Sequence, residues 1–109
     1  MCVMLEPERR FYNDLPEEEQ KHWTSELKPC PAIAQMTPLS QVAYLHHPTT
    51  YLFCENDQAL PFEIQDMIVR KAREESGATI DAAFCTAGHS PFLSQPETVL
   101  KLVQAIVAT

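Results

Sequence analysis

The chain has 109 residues and a formal charge of −7, from 8 lysines and arginines against 15 aspartates and glutamates. One domain is expected at this length, and a composition 45% hydrophobic and 21% charged is too apolar for wholesale disorder. The acidic balance repels phosphate backbones and no basic stripe interleaved with aromatics offsets it, so nucleic acid is excluded as a partner.

Residues 1–5 are apolar, but Glu6, Glu8, Arg9 and Arg10 end the run before a signal-peptide core forms, and no stretch is long enough to span a bilayer. A cytoplasmic protein without a membrane partner is expected. Asp14-Leu15-Pro16-Glu17-Glu18-Glu19 reads as a helix start, with a proline in the first turn and solvated carboxylates at the positive end of the dipole. Leu15, Trp23 and Leu27 can share one face, and Pro29 and Pro31 stop the helix. Thr37-Pro38 then predicts a second short helix through about Leu45, with Leu39, Val42 and Ala43 as its apolar stripe. Residues 1–47 therefore read as a helical cap.

Residues 48–109 read strand, helix, strand, helix. Thr49-Thr50-Tyr51-Leu52-Phe53-Cys54 lacks alternation, as in a strand covered on both faces. Pro61 opens a helix with Ile64, Met67, Ile68 and Ala72 at helical spacing, an Asp66–Arg70 pair, and Gly77 to close it. Residues 79–85 predict the next strand, against which only Asp81 speaks. Ser94-Gln95-Pro96-Glu97 matches a capping box before a helix whose Val99, Leu100, Val103, Ile106 and Val107 form one apolar face. Such a βαβα unit implies parallel strands, and a two-stranded parallel sheet leaves a long edge open to pairing with another strand, from a second copy or a different chain.

Only two glycines exist, Gly77 and Gly88, too far apart for a Walker loop, a dinucleotide fingerprint or a serine nucleophile elbow. The four cysteines, Cys2, Cys30, Cys54 and Cys85, form no CxxC pair and read as reduced thiols; Cys54, in an apolar run, reads as a packed thiol rather than a nucleophile. His46-His47, with His22 or His89, lacks ligand spacing, so neither a metal nor a cofactor is expected.

Two residues just past the predicted strands carry the chemistry. Asp57 and His89 lie at carboxyl ends of parallel strands, where ligands and catalytic side chains collect in open α/β sheets. They face the same rim, and a carboxylate on one imidazole nitrogen fixes the tautomer with which the other acts as a base. Position alone leaves open a pair of unrelated loop residues. The segment Tyr51-Leu52-Phe53-Cys54-Glu55-Asn56-Asp57-Gln58-Ala59-Leu60-Pro61, with Gln65, resembles the acid turn of α/β-hydrolases of the salicylate-methylesterase and hydroxynitrile-lyase branch. Ala87-Gly88-His89-Ser90-Pro91-Phe92-Leu93-Ser94-Gln95-Pro96 resembles the histidine loop of that family, and Phe11-Tyr12-Asn13-Asp14-Leu15-Pro16 is similar to part of its cap.

The resemblance implies a partial α/β-hydrolase sheet of two parallel strands with flanking helices and a helical cap. In it Asp57 is the triad acid, His89 the triad base, and the substrate a small apolar ester. Tyr12 and Trp23 would line a pocket under the cap or pack it. Phe92 and Leu93 would shape an acyl pocket or fill the gap before the last helix. The nucleophile half of the family pattern is missing, since none of Ser25, Ser40, Ser76, Ser90 and Ser94 lies in a glycine-flanked strand-to-helix turn. The chain by itself is therefore expected to hydrolyse activated esters no faster than free imidazole. A truncated, non-catalytic binding module working through its open sheet edge, or a product that does not fold alone, are the other readings.

Overall fold

The computed structural model describes residues 1–108. Three short helices, α1 (Pro7–Arg10), α2 (Glu17–Glu26) and α3 (Ala32–Met36), and a 3-10 turn at Ala43–Leu45 lead into a βαβ unit: β1 (Thr49–Cys54), α4 (Phe62–Ser76) and β2 (Ile80–Cys85). Helices α5 (Pro91–Ser94) and α6 (Pro96–Val107) follow. The two strands pair in parallel, from Thr49 opposite Ile80 to Cys54 opposite Cys85. The fold is α/β, a two-stranded parallel sheet with flanking helices, as the strand and helix periods predict.

Punctuation in the sequence sets the second half. Pro61 stands at the N-cap of α4, and Gly77 ends that helix at φ +68°, a left-handed conformation that costs a residue without a side chain nothing. Arg70 pairs with Asp66 at 2.5 Å, but both are exposed, and such pairs are worth only a few tenths of a kcal/mol. A contact that periodicity does not reveal ties the helix to the sheet: the Arg73 guanidinium donates to the Ile80 carbonyl where β2 begins. The core is Phe53, Val69 and Ile80, with Tyr51, Phe62 and Ala72 against it. Phe53 stacks on Phe84 and tilts against Phe62. Burying each such side chain is worth roughly 1.5–3 kcal/mol, so this small cluster anchors the unit.

Several expectations are corrected. On α4 the buried face is Gln65 and Val69, whereas Ile64, Met67 and Ile68 stay exposed, because two strands cover only part of a wide apolar arc. For the same reason β1, expected to be covered on both faces, is buried only at Phe53 and Cys54 and half-buried from Thr49 to Leu52, Phe84 of β2 is 58% exposed, and α6 buries none of its residues. No helix spans 37–45. Pro31 stands at the N-cap of α3 instead, and the residue before Pro38, Thr37, is held extended and ends it. Ser94 is not an N-cap either. Its hydroxyl bonds back to the Ser90 carbonyl at the end of α5, and Gln95 precedes Pro96 without a side-chain cap.

In the first half, Pro16 is the N-cap of α2 and Leu27 leaves it in extended conformation. Of the proposed stripe, Leu15 is buried, Trp23 half-buried and Leu27 exposed. Helix α1 was not expected; Pro7 occupies its first turn. Cys2 and Cys30 meet in an antiparallel bridge, each amide bonded to the other's carbonyl, which pins residues before α1 to the turn after α2.

Candidate active site

Parallel pairing delivers β1 and β2 to the same rim, and the ladder continues a little beyond both. Glu55 N–H donates to the Cys85 carbonyl at 3.0 Å and Asn56 N–H to the Ala87 carbonyl at 3.1 Å. The Asn56 side chain adds a third tie, Nδ2 to the Thr86 carbonyl at 2.6 Å. The acid turn and the histidine loop are thus bound together one residue before Asp57 and within three residues of His89.

Asp57 is buried, and each of its carboxylate oxygens has a separate task. Oδ1 accepts from the amides of Ala59 and Leu60 at 2.8 and 2.9 Å, which closes the turn toward α4. Oδ2 lies 2.9 Å from His89 Nδ1. A carboxylate oxygen accepts, so the shared proton sits on Nδ1 and Nε2 is the basic nitrogen. Nε2 has no hydrogen-bond partner among the described residues, and the imidazole is 37% exposed. The pair can therefore take a proton from an incoming hydroxyl and stabilise the resulting imidazolium.

Gln65, 1% exposed, buttresses the turn from α4. Its Oε1 accepts from Cys54 N–H at 3.0 Å, while Nε2 donates to the carbonyls of Cys54 at 2.9 Å and Leu60 at 2.7 Å. One carboxamide thus occupies both ladder groups of Cys54 on the side away from β2, as the backbone of a neighbouring strand would.

The histidine loop is held from the cap side. Asp14 Oδ2 accepts from Gly88 N–H at 2.8 Å, Asn13 Nδ2 donates to the Asn56 carbonyl at 3.0 Å, and Phe11 stacks on the His89 ring at 5.0 Å and 18°. Gly88 is buried under these groups. A Cβ there would collide with Asn13 Oδ1 and come within 3.0 Å of Asp14 Oδ1. Gly88→Ala is accordingly expected to destabilise the chain by about 1–3 kcal/mol, the usual cost of overpacking, as a lower urea midpoint with unchanged slope.

The remaining candidate residues are placed as follows. Phe92 is 62% exposed in α5 and Leu93 half-buried beside it. Neither lines the cavity of about 540 Å³ formed in the first half by Cys2, Met4, Phe11, Leu27, Cys30 and neighbours, nor do Tyr12 and Trp23. Tyr12 is buried, and Trp23 packs edge-on against His22. Phe11 connects that cavity to His89, since it belongs to both. Among the described residues no three His, Cys, Asp or Glu side chains gather as a metal site, and no helix is long and apolar enough to cross a membrane.

Cys54 lies under Asp57 with its sulfur 3.8 Å from that of Cys85. Burial first, then the neighbouring Cys85 and the charge of Asp57, pushes its thiol up to about 12, so it stays protonated and un-nucleophilic at neutral pH. Iodoacetamide at pH 8 is expected to modify the half-exposed Cys2 and Cys30 in the native chain and to spare Cys54 and Cys85 until denaturant is added, as read by peptide mass mapping. Labelling of Cys54 in the native chain would contradict this packing.

The Asp57 carboxylate and the His89 imidazole are thus bonded across the ends of two adjacent parallel strands. The family model described as the alpha/beta hydrolase family matches residues 3–102. The chain belongs to the alpha/beta hydrolase family. Among curated relatives, this hydrolase-family chain is 38% identical over 74 residues to the alpha/beta hydrolase nvfD of Aspergillus novofumigatus, an alignment covering 68% of the chain and 28% of that protein. It is 34% identical over 62 residues to a probable hydrolase of a Phoma species, covering 57% of the chain and 25% of the relative. The hydrolase-family chain thus aligns with about a quarter of the length of the curated relatives it matches.

Proposed function

We propose that the chain supplies the acid, Asp57, and the base, His89, of a Ser-Asp-His triad in a carboxylic-ester hydrolase of the salicylate-methylesterase and hydroxynitrile-lyase branch. In this reading residues 1–47 are its helical cap and residues 48–109 its last βαβα unit. The single observation that supports it is the 2.9 Å contact between His89 Nδ1 and Asp57 Oδ2, with Nε2 left for a hydroxyl. His89 removes the proton of an attacking serine and returns it to the leaving alcohol, while Asp57 holds the tautomer and stabilises the imidazolium. The serine and the oxyanion-hole donors belong to sequence outside these 109 residues. Because an oxyanion hole is worth about 3 kcal/mol and a triad acts as a unit, these residues alone give little turnover. The substrate is a small apolar ester, with Phe92 and Leu93 toward its acyl side. The four free thiols accord with a reducing compartment such as the cytoplasm.

The test is a chimera in which this chain replaces the aligned segment of the nvfD protein. It is expected to take up a fluorophosphonate on its serine and to lose that label with His89→Ala. A folded chimera labelled equally with and without His89 would overturn the reading.

One observation favours a second reading, an association module: the sheet has only two strands, and Phe84 on β2 and Leu100 and Val103 on α6 are each about half exposed or more. Sedimentation showing a concentration-dependent dimer, together with an unlabelled chimera, is the outcome it requires.

A further inference from the structure

We propose that residues 11–14 form a latch that positions the His89 imidazole against Asp57, with Phe11, Asn13 and Asp14 as positioning residues. The inference rests on the reading of Asp57 and His89 as an acid–base pair, and adds to it three side chains far away in sequence.

The latch grips the residue immediately before each member of the pair. Asp14 takes the amide of Gly88, which precedes His89, across 74 positions of chain. Asn13 takes the carbonyl of Asn56, which precedes Asp57, across 43. Two adjacent residues thus fix the spacing between two loops, and the bond from Asp14 is charge-assisted, the stronger kind. Phe11 completes the grip on the side chain itself. Its ring lies nearly parallel to the imidazole, so rotation that would carry Nδ1 away from Asp57 meets the phenyl face. The latch is anchored in turn by Tyr12 and Leu15, both buried, on either side of the Asn13-Asp14 pair.

The close fit at Gly88 belongs to the same contact: a Cβ there would force the Asn13 and Asp14 side chains to shift from the positions in which they hold the two loops. A displacement of about 1 Å at a catalytic group can cost 10²-fold in rate, so a latch of this kind governs the histidine without touching substrate.

The deciding measurement is the ring-nitrogen spectrum of His89 in the 15N-labelled chain at high pH, where imidazoles are neutral, assigned with His89→Gln. The wild-type ring is expected in the Nδ1–H form. Asp14→Ala is expected to move it toward the Nε2–H form that free imidazole favours, while Asp14→Asn, which retains an oxygen acceptor for Gly88 N–H, restores the wild-type spectrum. An Asp14→Ala spectrum identical to wild type, with Asp57→Ala shifted, overturns the latch and leaves the pair standing. No shift in Asp57→Ala overturns the pair, and the latch with it. Should Asp14→Ala fail to fold, Phe11→Leu decides: the His89 ring protons are expected to move downfield as the stacked phenyl is lost, and unchanged resonances would overturn the proposal.

Discussion

Gln65→Ala is expected to lower the stability of the chain by about 2 kcal/mol or more, because it leaves the buried Cys54 N–H without an acceptor, a loss of about 1–3 kcal/mol, while the Cys54 carbonyl keeps only the Asp57 amide at 3.3 Å and the part-buried Leu60 carbonyl loses its donor. The carboxamide serves Cys54 N–H, the Cys54 carbonyl and the Leu60 carbonyl, and among the described residues it is the most deeply buried polar side chain. Alanine also leaves a gap beside Cys54 that the small sheet has little means to fill. Against a total stability that for a domain of this size is about 5–15 kcal/mol, the loss is large. Urea unfolding followed by circular dichroism measures it. Gln65→Glu separates the two halves of the argument: a carboxylate still accepts from Cys54 N–H but sets negative oxygen against two carbonyls, so it is expected to be no better than alanine. Equal midpoints for wild type and Gln65→Ala would show that the acid turn does not depend on this buttress.

The second large effect is catalytic. In the chimera with the nvfD segment replaced, His89→Ala is expected to reduce fluorophosphonate labelling and ester turnover by at least about 10³-fold, since loss of a triad base typically removes most of the enhancement the triad provides. Asp57→Asn is expected to cost somewhat less. The asparagine keeps two polar atoms near Ala59, Leu60 and His89, but its amide nitrogen cannot accept from Nδ1–H. The double variant should be no worse than His89→Ala alone, because the acid acts only through the base. Additive losses would mean that Asp57 works on the reaction by some route other than the imidazole.

Much of this arrangement is legible in the sequence, and the reasons differ from element to element. The unalternating run at 49–54 and the punctuation by Pro61 and Gly77 specify strand and helix locally, and the structure has both with those bounds or within a residue of them. That acid and histidine stand on one rim follows from parallel pairing, since each lies a few residues past a strand. Periodicity says which residues share a face but not whether anything covers it, and for that reason Ile64, Met67 and Ile68 recur at helical spacing yet lie outside. Proline-rich stretches are ambiguous in a different way. Pro31 and Pro38 can each start a helix or end one, and only the backbone decides that Pro31 starts α3 and Pro38 stops it.

The latch was beyond local reading altogether. Asn13-Asp14 before Leu15-Pro16 reads as a helix approach, and its true partners, Asn56 and Gly88, are 43 and 74 residues away. One signal was available. Gly88 is one of only two glycines, and unlike Gly77 it does not occupy a left-handed conformation. A glycine kept for space rather than for backbone freedom marks close approach by another segment.

The hydrogen bond between His89 and Asp57 is the claim on which the rest stands, and proton spectroscopy of the imidazole reads it directly. A slowly exchanging His89 Nδ1–H resonance, resolved through its 15N partner and lost in Asp57→Ala with the other histidines unchanged, is the predicted result. An Nδ1 that carries no such proton, or one indifferent to removal of the Asp57 carboxylate, would contradict it.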